Sequence, residues 1–394
     1  MESPATSLPE QGAFHEPAPF SASSNGLALT FLPGGQARLE ALLGLIEAAQ
    51  ASLDLVFYIF AMDRAGETVR DALARAAARG VRVTLILDDF GAVADDAFFA
   101  PLTGAGGKVL WFIPRWTVRY LIRNHQKMVI VDGARAMIGG FNIQDDYFAP
   151  PEEGGWSDLG VLVEGDAVGE LTRWFAQLEG WTARPHARFR AIRRIVREWR
   201  PGTGKAQWLV GGPTSRDNSW RRTLMRDLDQ AKSFDLVSAY FAPHYWLVRR
   251  LGRIARTGTV RLLLPAKTDN AATLGAARIN YGPLLKCGAA IYEFEAAKLH
   301  TKLIVIDDVC YIGSANFDLR SLYLNLELML RIEDAELAER LRAFVSAHLA
   351  GSTEVTSELH RRRLTLWNRL RWTLSWMLVA VVDYTVTRRL NLGL

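Results

Sequence analysis

Two eight-residue stretches carry the chemistry of this chain, HQKMVIVD at residues 125–132 and HTKLIVID at residues 300–307, which stand 175 positions apart. On an extended backbone, side chains two apart share a face, so His125 lies beside Lys127 and His300 beside Lys302. A neutral imidazole next to an ammonium suits a core poorly and suits a phosphate well. The apolar run after each pair predicts a buried strand. Asp132 and Asp307 follow where VDGA and IDDV begin a turn, and a turn-stabilising role is expected of both rather than a catalytic one. A returning strand then ends in MIGGFN and YIGSAN. Gly139, Gly140, Gly313 and Ser314 are candidates for close approach of a substrate, and the amides of Asn142 and Asn316 for donation to phosphate oxygens.

The elements that must position these groups are themselves written twice. ARLEALLGLIEAAQ, ASLDLVFYIF, AGETVRDALARAAARG and VRVTLILDD predict helix, strand, helix and strand. WRRTLMRDLDQA, KSFDLVSAYF, YWLVRRLGRIARTG and VRLLLP repeat that order before the second HxK. Gly80 and Gly258 mark the ends of corresponding helices. A period this long is a duplicated domain rather than a solenoid, and the near-continuous apolar strands predict an α/β sandwich with a mostly buried sheet in each half. The expected organisation is a disordered lead (1–26), a first domain (27–186), a basic linker (187–205), a second domain (206–350) and a basic, aromatic C-terminal segment (351–394).

The chain has 394 residues, 49% of them apolar, a formal net charge of +5 and a pI near 9.2. A sizeable core and an anionic partner follow, and a disordered protein is excluded. Cys287 and Cys310 sit in apolar contexts and imply no disulfide framework. The first residues lack the basic start and apolar run of a cleaved signal. Near the other end, the run from Trp372 to Val386 is too short for a spanning helix, which takes about 20 apolar residues, and Asp383 interrupts it. It reads as an interfacial anchor, with Trp372 and Trp376 at headgroup level and Arg369 and Arg371 meeting anionic lipid; a helix docked on the protein's own core is the alternative. A second basic and aromatic patch, WFIPRWTVRYLIRNH, leads into His125 and reads either as a lip meeting an anionic surface or as an ordinary solvated loop.

The double HxKxxxxD followed by GGxN or GSxN resembles the phospholipase D superfamily. Over residues 27–350, with FYIFAMDRAGETVRDAL, GGFN and SLYLNLEL, the chain is similar to bacterial cardiolipin synthases of the short B-type. That resemblance implies an α/β fold of two pseudo-symmetric phospholipase D-like α/β/α sandwich domains with mixed sheets and one active site at their interface. It implies a phosphohistidine on His125, acid/base work by His300, charge neutralisation by Lys127 and Lys302 with Asn142 and Asn316, and neither metal nor other cofactor. The sequence offers no convincing ligand cluster for a metal. Where many relatives have Ser, this chain has Gly140, so a hydroxyl contact is lost there. The resemblance also implies a bacterial inner-membrane enzyme on the cytoplasmic side, peripheral or monotopic.

Each such histidine needs a carboxylate to orient its second nitrogen. Glu327 in LNLELML and its repeat counterpart Asp158 in WSDLGVLVEG are the candidates, a salt bridge to a nearby arginine being the alternative for either. Two histidines in opposite protonation states predict a bell-shaped rate profile around neutral pH. The function that fits best is transfer of a phosphatidyl group from phosphatidylglycerol to a second phospholipid headgroup at an anionic membrane surface. A lipid hydrolase and a phosphodiester nuclease of the same superfamily are the alternatives. An apolar, Trp-rich tail is not what nucleic acid requires, so no nucleic-acid partner is expected. Intact spacing of both His, both Lys and both Asn argues against a non-catalytic scaffold. The pseudodimer completes one site within one chain, so catalysis gives no reason to demand an oligomer.

Overall fold

The computed structural model describes residues 14–113, 122–184, 189–214, 218–268 and 271–382. In the first half the strands are β1 (Phe20–Ser24), β2 (Leu27–Leu32), β3 (Ser52–Phe57), β4 (Arg82–Asp88), β5 (Lys108–Phe112), β6 (Met128–Val131), β7 (Arg135–Gly139), β8 (Trp156–Ser157) and β9 (Gly160–Glu164). The helices there are α1 (Gly35–Glu47), α2 (Arg64–Ala78), α3 (Ala100–Gly104), α4 (Val168–Thr182) and α5 (Phe189–Glu198). The second half has β10 (Ala206–Gly211), β11 (Ser233–Val237), β12 (Phe241–Ala242), β13 (Thr259–Pro265), β14 (Ala290–Phe294), β15 (Lys298–Leu299), β16 (Leu303–Ile306), β17 (Val309–Gly313), β18 (Phe317–Asp318), β19 (Glu327–Glu333) and β20 (Ser352–Glu354). Its helices are α6 (Ser219–Asp229), α7 (Tyr245–Thr257), α8 (Ala271–Arg278), α9 (Tyr281–Leu285), α10 (Leu319–Tyr323), α11 (Ala335–Ala347), α12 (Ser357–Arg363) and α13 (Leu366–Trp376).

The duplication is visible strand by strand. One eight-stranded sheet runs β1-β2-β9-β7-β6-β3-β4-β5 and the other β10-β19-β17-β16-β11-β13-β14-β20. Seven consecutive strands of each correspond, from β2 to β5 and from β10 to β14, and each sheet adds one edge strand of its own. Both sheets are mixed: β3, β4 and β5 are parallel, as are β11, β13 and β14, while the strands that follow each HxK pair antiparallel to their neighbours. One apolar cluster covers the outer face of the first sheet and another that of the second. A third is shared between the halves, drawing on α4, α5 and α11 and on strands of both sheets. Burial on both faces explains why the strands read as continuous apolar runs.

Each turn after an HxK strand depends on its aspartate. Asp132 and Asp307 have φ of 52° and 47°, a left-handed conformation that Asp tolerates better than most residues. Asp132 accepts from the amides of Ala51 at 2.7 Å and Ser52 at 2.8 Å, and Asp307 from that of Ser233 at 2.8 Å. Each carboxylate thereby clamps its turn to the start of the adjacent antiparallel strand, β3 or β11, seven residues and about 20 Å of extended chain away from its histidine.

Four expectations need correction. The lead assigned to residues 1–26 ends earlier, because Phe20–Ser24 pairs along its whole length with β2, and Phe20 stacks on Phe31 at 4.6 Å. The basic stretch at 187–205 is no open linker: it contains the amphipathic α5, whose Phe189, Ile192 and Val196, with Trp199, are buried in the shared core while Arg190, Arg194 and Arg197 face out. Each half also has one parallel strand more than its pattern predicts, β5 and β14, followed by the HxK segment. Finally, Trp372 is 2% exposed, stacked near His360 at 5.9 Å where α13 lies on α8, with Ser375 against Gly275. It docks on the protein rather than at headgroup level. Beyond Trp376 the helix widens into a π-type segment, Met377–Val382. No helix among the described residues is long and apolar enough to cross a membrane.

Candidate active site

The two HxK segments meet because each crosses to the other half just before or at its histidine. Lys298–Leu299 of β15 pairs with Trp156–Ser157 of β8, and Asn124 bridges to Leu326. The amide of His300 donates to the Ser157 carbonyl at 2.7 Å and that of His125 to the Leu326 carbonyl at 2.9 Å. Since Asp158 follows Ser157 and Glu327 follows Leu326, each histidine is delivered to the carboxylate of the opposite repeat. Nδ1 of His125 lies 3.1 Å from both oxygens of Glu327, and Nδ1 of His300 lies 2.6 Å from Asp158 Oδ2. Both carboxylates are buried. A carboxylate only accepts, so Nδ1 of His125 carries the ring proton. At His300 the shorter contact to Asp158 keeps the proton on Nδ1 although Lys302 Nζ stands 2.8 Å from the same atom, and each Nε2 keeps its lone pair.

The lysines sit beside their histidines, as the i, i+2 spacing predicts. Lys302 Nζ is 2.8 Å from His300 Nδ1, and Lys127 Nζ donates to the His125 carbonyl at 2.6 Å. Burial pushes Lys302 down to about 8 and Lys127 well below the ordinary lysine value. Burial, then the neighbouring Lys302 charge, pushes His300 down to about 3; burial also lowers His125. Burial alone would raise Asp158, but His300, Lys302 and Arg38 outweigh it and hold it below the usual carboxylate value. Neutral imidazoles therefore stand beside the two buried lysines.

His125 and His300 open onto a cavity of about 600 Å³, with Tyr58, Arg123, Asn142, Tyr147, Trp156, Asn316 and Arg320 among its walls. Asn142 accepts from the Ile59 amide at 3.1 Å and donates to the Tyr147 hydroxyl at 2.9 Å. Asn316 also faces the cavity, and its Oδ1 is buried with no partner among the described residues. Of the basic patch upstream of His125, residues 114–121 lie outside the described residues. Arg123 is buried, with its guanidinium 3.7 Å over the Phe90 ring.

Gly139, Gly140, Gly313 and Ser314 lie behind the histidines and do not line the cavity, so the substrate contact expected of them is corrected. A Cβ on Gly139 would meet the Leu159 carbonyl at 2.5 Å, so the residue is small because a strand backbone passes over it. The same holds for Gly313 beneath Leu328. A Cβ on Gly140 would lie 2.6 Å from Asp158 Oδ1 and 2.9 Å from the His300 carbonyl. In the other half the same place is taken by Ser314, whose hydroxyl donates to Glu327 Oε2, and Ser321 donates to Oε1 at 2.8 Å. The hydroxyl absent at Gly140 serves the carboxylate, not the substrate.

Arg38, Tyr147 and Asp88 were not apparent from the motifs. Arg38 is fully buried and donates to the carbonyls of Pro33, Asp158 and Tyr147, the last two at 2.7 and 2.8 Å, so it ties α1 to both sides of His300. Its signal is an arginine on the apolar spacing of α1, with Leu42 and Leu45. Asp88, raised to about 6 by burial, accepts from the Asn124 amide at 2.7 Å and so anchors the segment entering His125.

The family model described as "Cardiolipin synthase, PLD-like domain" matches residues 42–179 and 224–349. The major cardiolipin synthase ClsA of Bacillus subtilis (strain 168) is 32% identical over 358 residues, covering 88% of this chain and 74% of that one. Cardiolipin synthase 1 of Bacillus anthracis is 32% identical over 84% of this chain and 68% of its own. In fold, the chain is similar to the crystal structure of phosphatidylserine synthase from Haemophilus influenzae Rd KW20, with a TM-score of 0.73 at 14% identity, covering 94% and 96% of the two chains.

Proposed function

The chain belongs to the cardiolipin synthase family of phospholipase D-like enzymes, and from that we propose that it moves a phosphatidyl group from phosphatidylglycerol to the headgroup hydroxyl of a second phospholipid. The observation that carries this reading is the crossed pairing of His125 with Glu327 and His300 with Asp158 around one cavity. Two neutral imidazoles each present Nε2 to the same space, and buried lysines flank them. That arrangement fits a single phosphodiester approached from both sides.

In the first step His125 Nε2 attacks phosphorus, a P–N bond forms, and the P–O bond to the glycerol headgroup breaks. The departing glycerol oxygen takes its proton from His300 Nε2. In the second step the acceptor hydroxyl gives its proton to His300, its oxygen bonds to phosphorus, and the P–N bond breaks. With a second phosphatidylglycerol as acceptor, the products are cardiolipin and glycerol. Lys127 and Lys302 neutralise the non-bridging oxygens throughout, with Asn142 and Asn316 at the cavity wall. The anionic phosphodiester offsets the charge of the neighbouring lysines, and so raises His300 toward the range where it can hold a proton.

The substrate is an anionic lipid, and α13 offers a surface for the bilayer that holds it. Its outward face exposes Leu366, Trp367, Leu370 and Leu374, continued by Met377 and Leu378, with exposed Arg369 and Arg371 beside them. The apolar stripe suits insertion and the arginines suit anionic headgroups. The reading is a protein seated on the cytoplasmic side of a bacterial inner membrane through this face, opposite the one that Trp372 uses for docking.

The test is lipid mass spectrometry after incubating the purified protein with phosphatidylglycerol liposomes, beside His125→Ala and His300→Ala. Cardiolipin from the wild type alone is the expected result. Phosphatidic acid in place of cardiolipin would make the enzyme a hydrolase, and product from either variant would overturn the paired-histidine mechanism.

A further inference from the structure

The two histidines are chemically inequivalent, and Tyr147 separates them. Its hydroxyl lies 3.4 Å from His300 Nε2, and its ring stands edge-on to the imidazole at 5.0 Å and 78°. Asn142 decides which way that hydroxyl acts. Because Asn142 Oδ1 accepts from the Ile59 amide, the atom 2.9 Å from the phenol oxygen is Nδ2, which can only donate. The phenol oxygen is the acceptor there, and His300 Nε2 lies within reach of its proton. On the far side of the ring, the Nδ1 N–H donates to Asp158 at 2.6 Å, a shorter contact than the 2.8 Å from Lys302 Nζ to the same atom. The phenol therefore meets a lone pair.

We infer that Tyr147 is a positioning residue that donates to Nε2 of His300 when no substrate is bound, holds that ring as the neutral Nδ1–H tautomer, and yields Nε2 to the substrate's leaving and attacking oxygens. The inference rests on the reading of His300 as the acid/base group. Tyr147 favours the unprotonated Nε2 and itself neither gains nor loses a proton over the cycle.

The repeat isolates this contact. Tyr147 stands five residues after Asn142, and five residues after Asn316 stands Ser321, whose hydroxyl goes to Glu327 and not to an imidazole. Tyr58, the aromatic neighbour of His125, meets it through the ring edge at 5.1 Å. Tyr147 is also held firmly. It ends the short turn Asp145–Tyr147, its carbonyl accepts from Arg38 at 2.8 Å, and the Asp145 amide donates to Asp63 at 2.8 Å. Trp156 closes the other side of the imidazole at 5.0 Å. Among the described residues, Asp158 and Lys302 contact His300, Lys127 lies across the pseudo-twofold, Arg38 stands behind Asp158, and Asp146, Lys298, Arg123, Arg320 and Asp318 line the same cavity. Tyr147 is the neutral donor among them.

The test compares wild type with Tyr147→Phe, which keeps the ring and removes the donor. Two readouts are taken on the full chain: the pH dependence of kcat/KM for transfer from phosphatidylglycerol in detergent micelles, and the 15N NMR titration of His300. Loss of a hydrogen bond to the unprotonated nitrogen favours protonation, so the His300 midpoint moves up by about half to one pH unit and the kcat/KM optimum by about half of that. Replacing Tyr147 with 3-fluorotyrosine, a stronger donor of nearly the same shape, moves both readouts the other way. An unchanged midpoint and optimum in Tyr147→Phe overturns the proposal. If that variant does not fold by circular dichroism, a fluorotyrosine protein without the downward shift overturns it instead. His300→Ala separates this from the parent reading: retained transfer there refutes the acid/base role, whatever Tyr147 does.

Discussion

Glu327 holds His125 from 202 residues away, with both carboxylate oxygens 3.1 Å from Nδ1 and both further occupied by the hydroxyls of Ser314 and Ser321. The carboxylate is fully buried, where these donors and the nearby lysines face it.

Glu327→Gln keeps the shape and reverses the hydrogen bonding. One serine hydroxyl would face an NH2 group, and an amide NH2 turned to Nδ1 would move the ring proton to Nε2, the atom that must attack. A fall in kcat on the order of 10²–10⁴-fold is expected, with little change in KM. Steady-state kinetics beside a far-UV spectrum check it. Activity within a few-fold of wild type would remove Glu327 from the mechanism.

Gly140→Ala tests the asymmetry between the repeats. The added methyl would stand 2.6 Å from Asp158 Oδ1, so the carboxylate must leave His300 or the strand end must move. Overpacking of this kind costs about 1–3 kcal/mol. The expected outcome is a modest drop in thermal stability together with at least a hundredfold loss of activity, on the order of what a misoriented catalytic group loses. Ser314→Ala adds no atom and removes one donor from Glu327, so the smaller loss of activity should be there.

Burial sets the pH optimum. The pH dependence of kcat/KM reports the free enzyme, whose active form needs one neutral and one protonated histidine, so the optimum lies midway between their two pKa values. Both are lowered from the ordinary 6.5, His300 to about 3. The bell in kcat/KM should therefore peak on the acid side of 6.5, displaced from the neutral centre that unperturbed histidines predict. The bell in kcat should peak higher, because bound phosphodiester offsets the lysine charges. A kcat/KM maximum above pH 7 would contradict this electrostatic account.

The outward face of α13 makes a separate prediction. Leucine moved from water to an apolar phase contributes roughly 1.5–3 kcal/mol, so Leu370→Glu with Leu374→Glu should weaken binding to phosphatidylglycerol vesicles by at least about tenfold. Flotation or sedimentation with vesicles measures it. Trp372→Ala should instead lower stability by about 3–5 kcal/mol, since that side chain is buried on α8. Equal vesicle binding by the leucine variant and wild type would place the membrane contact elsewhere.

Residue chemistry and spacing alone determined much of this protein: the duplication, the strand after each HxK, the clamping aspartates, and the pairs His125 with Lys127 and His300 with Lys302. These are local properties, carried by period-2 spacing, apolar runs and turn residues within eight or ten positions. Glu327 and Asp158 were legible for a related reason, because a carboxylate in an apolar strand demands a partner. Which histidine each serves was not, since the exchange between halves arises only where β8 meets β15 and Asn124 meets Leu326. The same long-range packing turned Gly140 and Ser314 from substrate contacts into seats for carboxylates, and buried Trp372 while exposing its neighbours on α13. Tyr147 and Arg38 carry no motif at all. Their roles come from atoms brought within 3.5 Å across about a hundred or more residues, a relation that tertiary structure alone decides.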